Sequence, residues 1–121
     1  MASEPCQILV IEDYVPLGHF IKRALDGAGW AVVGPITEYA AAMVAARQLP
    51  LSLVVMDRML QDQETFTIAD AVTGRGIPCL MISGYPRATL PQRFQDLPFL
   101  AKPFTMEALF DAVRVAVRGG S

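Results

Sequence analysis

Cysteine, histidine and surplus charge are all scarce in this chain of 121 residues. The two cysteines, Cys6 and Cys79, are well separated and lack CxxC spacing, which excludes a cysteine metal site and a disulfide framework. Cys79 lies in an apolar run and reads as a small buried hydrophobe, so reduced, cytoplasmic surroundings are expected. The single histidine, His19, reads as a surface residue of the first helix rather than a phosphodonor. Ten basic against twelve acidic residues leave a net charge of −2, and without a basic face no nucleic acid is expected as partner. No apolar run approaches the ~20 residues of a membrane span. The start, Met1-Ala2-Ser3-Glu4-Pro5, has neither the basic region nor the apolar stretch of a signal peptide. No membrane contact is expected. Repeats, low-complexity segments and a linker into a second domain are also missing, so one domain over residues 1–121 is expected.

Apolar residues are plentiful, at 53% with a mean hydropathy of +0.37. Gln7–Ile11, which leads into Glu12-Asp13, and Leu53–Asp57, which ends in its acid, have the pattern of strands buried on both faces. Ala31–Gly34 reads as a short strand closed by Pro35, Ile77–Ile82 as a fourth strand and Leu97–Ala101 as a fifth. Helices are expected from Val15-Pro16 to Gly29, from Glu38 to about Leu49 with Thr37 as cap, from about Thr65 to Thr73, and from Thr105 to Arg118. Leu17, Ile21, Ala24 and Ala28 form the apolar stripe of the first, and Ala108, Leu109, Ala112, Val113 and Ala116 that of the last. Gln61–Glu64 reads as a polar loop. Pro86 and Pro91 leave the 86–96 segment at most a short or distorted helix. Strands alternating with helices predict an α/β fold, a doubly wound, flavodoxin-like parallel sheet of five strands.

In such a sheet the carboxyl ends of the strands share one edge, where ligands bind. That edge gathers Glu12, Asp13, Asp57, Ser83 and Lys102. Three carboxylates together need a cation, and hard oxygen donors suit Mg²⁺. A metal, a lysine and a hydroxyl around a central carboxylate would cradle a phosphoryl group, with Asp57 as nucleophile.

The set Glu12-Asp13, Asp57, Ser83 and Lys102-Pro103 resembles the receiver domains of two-component response regulators (the CheY-like fold, strand order 2-1-3-4-5). The resemblance implies that Asp57 accepts phosphate from a phosphohistidine of a sensor histidine kinase or phosphotransfer protein. It implies Mg²⁺ on Asp13, Asp57 and the backbone carbonyl of Met59, with Glu12 acting through water. Lys102 and Ser83 would contact the phosphoryl group, Phe99 would stand at the switch aromatic, and Lys102-Pro103 would be a cis peptide. Arg75-Gly76-Ile77-Pro78, Ser83-Gly84-Tyr85-Pro86 and Lys102-Pro103-Phe104 are similar to the single-domain "FAT GUY" receivers, which act without a fused output domain. Tyr85 is then a second switch candidate. The strand Cys79-Leu80-Met81-Ile82 lacks that subtype's phenylalanines, and Met59-Leu60-Gln61-Asp62 lacks the usual receiver proline and glycine.

The expected function is a stand-alone phosphoacceptor in a histidine-to-aspartate relay, monomeric or dimerising on phosphorylation, signalling to a downstream protein. It catalyses its own phosphorylation and dephosphorylation and is not an enzyme for an external metabolite. Docking is expected near Val15, Pro16 and Phe20. Output is expected from the 86–96 segment, the fifth strand and the last helix. Met59 and Tyr85, bulky and two residues beyond Asp57 and Ser83, are expected to obstruct hydrolytic water. The alternative is a pseudo-receiver, a protein-binding module that works without phosphorylation. An aspartate-nucleophile phosphatase would need an acid where Met59 stands. A flavin carrier would need a Ser/Thr/Gly-rich loop where Glu12-Asp13-Tyr14 stands.

Overall fold

A computed structural model describes residues 7–119; Met1–Pro5, Cys6 and the last two residues, on which some of the expectations fell, lie outside the described residues. Five strands, β1 (Gln7–Ile11), β2 (Ala31–Ile36), β3 (Leu53–Asp57), β6 (Cys79–Ser83) and β7 (Phe99–Ala101), form one sheet in the order β2-β1-β3-β6-β7. All its pairings are parallel. Between β3 and β6 lie a small antiparallel pair, β4 (Met59–Leu60) and β5 (Gln63–Glu64), and helix α3 (Phe66–Gly74). Helices α1 (Val15–Gly27), α2 (Tyr39–Gln48) and α4 (Met106–Gly119) complete the layers. This is the doubly wound, flavodoxin-like topology expected from the strand and helix alternation.

Strand side chains point alternately to opposite faces, and that alternation divides the core in two. Leu9, Ile11, Val54, Met56, Cys79 and Met81 pack with α2 and α3. Ile8, Val10, Leu53, Val55, Leu80 and Ile82 pack with α1 and α4. Burial pushes the Cys79 thiol up to about 12, so it is an inert core residue. Thr105 caps α4 as expected, its Oγ1 accepting from Ala108 N at 3.0 Å. Among the described residues no helix is long and apolar enough to cross a membrane.

Four local expectations need correction. Strand β2 does not stop at Pro35. It continues through a cis Gly34–Pro35 peptide to Ile36. It can, because β2 is an edge strand, where a missing N–H costs no ladder bond. Thr37 does not cap α2: Glu38 holds the cap position, and no side chain bonds there. On α1 the buried residues are Gly18, Ile21, Ala24 and Leu25, whereas Ala28 is exposed beyond the last turn. The 61–64 stretch is no open loop. Gln61 and Asp62 form the two-residue tip of the β4–β5 hairpin, with φ of 51° and 61°. Two non-glycine residues in the left-handed region are uncommon. Hydrogen bonds from the Gln61 main chain to Asp13 and from Tyr39 to the Gln61 side chain hold them there.

The 86–96 segment forms two 3-10 turns, Arg87–Thr89 and Gln92–Phe94, in place of a helix. Leu90 and Phe94 anchor it in the core while most of its other residues are exposed or half-buried.

Candidate functional site

The carboxyl edge of the sheet opens into a cleft of about 490 Å³ lined by Glu12, Asp13, Asp57, Met59, Tyr85 and Lys102, among others. Asp57 ends β3 in the same alternation as Leu53 and Val55, so it belongs to the α1/α4 side of the sheet. Glu12 continues β1 and Lys102 follows β7 with the same parity. The three meet there. Lys102 Nζ bonds Asp57 Oδ2 and stands 3.6 Å from Glu12 Oε1. The other Asp57 oxygen, Oδ1, accepts from Met59 N at 2.9 Å. Burial works to lower the Lys102 pKa. The hydrogen bond to Asp57 and the charges of Asp57 and Glu12 outweigh it, so the ammonium is held above its ordinary value.

Glu12 is 1% exposed. Its Oε2 accepts from Tyr14 N at 3.0 Å, whereas its Oε1 is buried with no hydrogen-bond partner. Burial pushes the carboxyl up to about 7, and the nearby Asp57 adds to the rise against the Tyr14 N–H and Lys102, which lower it. A buried, half-satisfied carboxylate beside a second one is a site short of positive charge.

Asp13 lines the same cleft but is exposed, and its Oδ2 accepts from Gln61 N at 2.8 Å. Gln61 Oε1 in turn accepts from Tyr39 N at 3.4 Å. The hairpin tip is thus fastened both to the β1–α1 loop and to the start of α2.

Among the described residues no three acids, histidines or cysteines are arranged to hold a metal ion by themselves. The donor set nonetheless fits Mg²⁺ in kind. That ion keeps several waters and takes only one or two carboxylates. Three carboxylates line one cleft, and one of their oxygens is buried without a hydrogen-bond partner.

Ser83 reaches the same edge but not the same cluster. Its hydroxyl is folded into its own turn, donating to Tyr85 O and accepting from Tyr85 N, both at 2.9 Å. It shares the parity of Cys79 and Met81, on the other side of the sheet from Asp57. Tyr85 stands at the cleft rim, 62% exposed. Phe99 is half-buried in the α2/α3 core, with the Arg87 guanidinium 5.0 Å over its ring. The Lys102–Pro103 peptide is cis, as the resemblance implied.

Two residues of the site escaped the sequence reading. Thr65 is fully buried, and its Oγ1 donates to Asp57 O at 2.8 Å and to Arg58 O at 3.1 Å, closing the hairpin's base. Arg58 turns away from Glu12, Asp13 and Asp57, pairs with Glu64 and stacks on Phe66 and Tyr85. The available signals were a threonine opening a helix and an arginine directly after the strand-end acid.

No family model matches the chain. It is 30% identical to the "Probable transcriptional regulatory protein SilR" of Salmonella typhimurium over 125 residues, covering 95% of this chain and 52% of that protein. The chain spans about half the length of the curated relatives it matches. Among solved structures, it superposes on SdrG from Sphingomonas melonis Fr1 with a TM-score of 0.82 and 26% identity, covering 97% of this chain and 99% of that one. It also superposes on a response regulator receiver protein from Sinorhizobium medicae WSM419 with a TM-score of 0.81 and 24% identity, covering 98% of each. With Asp57 and Lys102 joined at the carboxyl edge of that sheet, the chain carries the fold of the receiver domains of response regulators.

Proposed function

We propose that this chain is a phosphoacceptor receiver. An Asp57 carboxylate oxygen attacks the phosphorus of a phosphohistidine, the N–P bond breaks, the imidazole leaves, and the modified chain signals to a partner protein. The observation that carries this reading is the Lys102–Asp57 ion pair, set in a cleft whose other walls are Glu12 and Asp13. A lone carboxylate would repel an incoming phosphoryl group. One already answered by a lysine, beside acids that would take up a divalent cation, suits it.

Asp13, Asp57 and the Met59 carbonyl would hold Mg²⁺, with Glu12 reaching it through water. The ion would offset charge on the transferring oxygens. Lys102 would contact both Asp57 and the new phosphoryl oxygens. For Ser83 to join them, its hydroxyl must leave Tyr85, and that release is the natural start of a switch involving Tyr85 and Phe99. Met59 and Tyr85 at the rim hinder the water that would hydrolyse the aspartyl phosphate. Met59→Asn and Tyr85→Glu should therefore shed phosphate faster; unchanged or slower loss in both sinks that role.

A histidine-bearing helical partner would dock beside the cleft. An apolar hollow of Tyr14, Leu17, Phe20, Pro103 and Phe104 adjoins Lys102, with the Phe20 and Phe104 rings 6.4 Å apart. Val15, next to it, is 52% exposed.

The test is incubation with Mg²⁺ and acetyl phosphate followed by intact mass. The wild-type chain should gain one phosphoryl group, and Asp57→Asn should gain none. One observation favours the phosphorylation-independent alternative: Gln61 N already occupies Asp13 Oδ2. A wild-type mass that stays unmodified at saturating donor would select that reading.

A further inference from the structure

Arg58 follows the acceptor aspartate by one residue, yet alternation sends it to the opposite side of the sheet. Its side chain is only 11% exposed. Nη1 donates to Thr89 Oγ1 at 2.6 Å, and Nη2 donates to Thr89 O at 3.2 Å and to Glu64 Oε2 at 3.3 Å. The guanidinium carbon lies 5.4 Å from the Phe66 ring centroid and 5.5 Å from that of Tyr85. Its main-chain N is fixed too, donating to Ile82 O at 2.8 Å. One side chain therefore touches the hairpin through Glu64, the start of α3 through Phe66, and the turn after β6 through Tyr85 and Thr89. Few residues besides arginine could do this, because the task needs a planar face for rings and several donors at its edge.

We propose that Arg58 is a positioning residue for the chemistry at Asp57: it holds the Tyr85 ring at the cleft rim and ties the Arg87–Thr89 turn to the β4–β5 hairpin. This role rests on the phosphoacceptor reading above. Tyr85 is 62% exposed, so packing alone gives its ring little support. Both Arg58 and Tyr85 line the cleft. While Arg58 grips Tyr85 and Thr89, the ring stays across the approach of water and the Ser83–Tyr85 turn stays closed. Losing the grip frees the ring and loosens the turn together.

The experiment compares the wild-type chain with Arg58→Ala, Arg58→Lys, Tyr85→Ala, the Arg58→Ala/Tyr85→Ala double variant and Thr89→Val. Each is phosphorylated with acetyl phosphate and Mg²⁺, freed of donor, and followed for phosphoryl loss by intact mass. Amide hydrogen exchange is read on the unphosphorylated forms. Arg58→Ala and Tyr85→Ala should each speed phosphoryl loss roughly threefold, the scale of one exposed cation–π contact. The double variant should be no faster than either single one, because the two residues act through one contact. Arg58→Lys keeps a cation over the ring and should recover part of the lifetime. The amides of Thr89 and Leu90 should exchange about tenfold faster in Arg58→Ala, as expected for losing charge-assisted bonds. Thr89→Val, an exposed change that also removes the bond from Thr89 Oγ1 to Pro86 O, should raise exchange at the same amides. Additive effects in the double variant, or wild-type lifetime and exchange in Arg58→Ala, would overturn the proposal alone. A wild-type chain that takes up no phosphoryl group overturns the phosphoacceptor reading, and this role with it.

Discussion

On one side of Asp57, Glu12 and Lys102 follow strands directly and are pinned by main-chain bonds, Glu12 N to Ile36 O at 3.1 Å and Lys102 N to Ser83 O at 2.9 Å. On the other side, Ser83 leads at once into an exposed turn, and two short 3-10 turns stand beyond it in place of a helix. The acids and the lysine are thus set by the sheet, where a shift of one group would disturb buried strands. The hydroxyl and the aromatic ring ride on an exposed segment held in the core by Leu90 and Phe94 and at its start by Arg58, through Tyr85 and Thr89. Charges that act together gain from a fixed geometry.

That contrast can be broken most severely from the rigid side. At Gly34, φ is +105°, and an added Cβ would lie 2.6 Å from Val10 O and 2.7 Å from Ile36 N. Gly34→Ala should cost about 3 kcal/mol in urea unfolding, because strand backbone has to move. A loss below about 1 kcal/mol would mean the acid side is softer than its bonds suggest.

Lys102→Met comes next. It removes the cation between two buried carboxylates and should destabilise the chain by about 2 kcal/mol at pH 8. The loss should shrink at pH 5.5, where Glu12 can take a proton. A variant as stable as wild type at pH 8 would contradict the electrostatic picture of the cleft.

Glu12→Gln sharpens the same point with the opposite sign. The folded-state pKa of Glu12 is about 7, above its ordinary 4.5. Between those values the folded chain binds a proton the unfolded chain has released, so this group's contribution to stability falls as pH rises towards 7. Above that window the penalty is complete. Without divalent ion, Glu12→Gln should therefore be more stable than wild type at pH 8 by about 1 kcal/mol, and the gain should vanish near pH 4.5. A less stable variant at pH 8 would refute it.

The smallest change is expected on the exposed side. Ala88→Gly, in the first 3-10 turn, should alter stability by less than about 0.5 kcal/mol. A drop above about 1 kcal/mol would erase the distinction between the two sides.

The rigid side was also the legible one. Gln7–Ile11 and Leu53–Asp57 match the observed strands to the residue, because four consecutive apolar residues leading straight into an acid have few other places to go. The meeting of Asp57 and Lys102 followed from parallel topology alone. The rest depended on facts that local pattern does not carry. Pro35 looked like a stop because nothing near it says that β2 lies at the sheet's edge. Thr37 looked like a cap because its residue type is right, but the chain is still extended at Glu38. The hairpin tip lacks the Asn-Gly signature of such turns. It is held by Asp13 and Tyr39, 48 and 22 residues from Gln61. Ser83 was assigned to the right edge, but its hydroxyl partner is its own turn.

Asp57 and Arg58 share a peptide bond and face different companies: one carboxylate among acids and a lysine, one guanidinium among rings and a threonine. Nothing separates their surroundings except odd and even places along β3. Slide that strand by a single residue against β1 and β6, and a guanidinium would take the place of the Asp57 carboxylate in the cleft while that carboxylate faced Phe66. The register of one five-residue strand therefore determines which side of the sheet carries the carboxylate of the cleft.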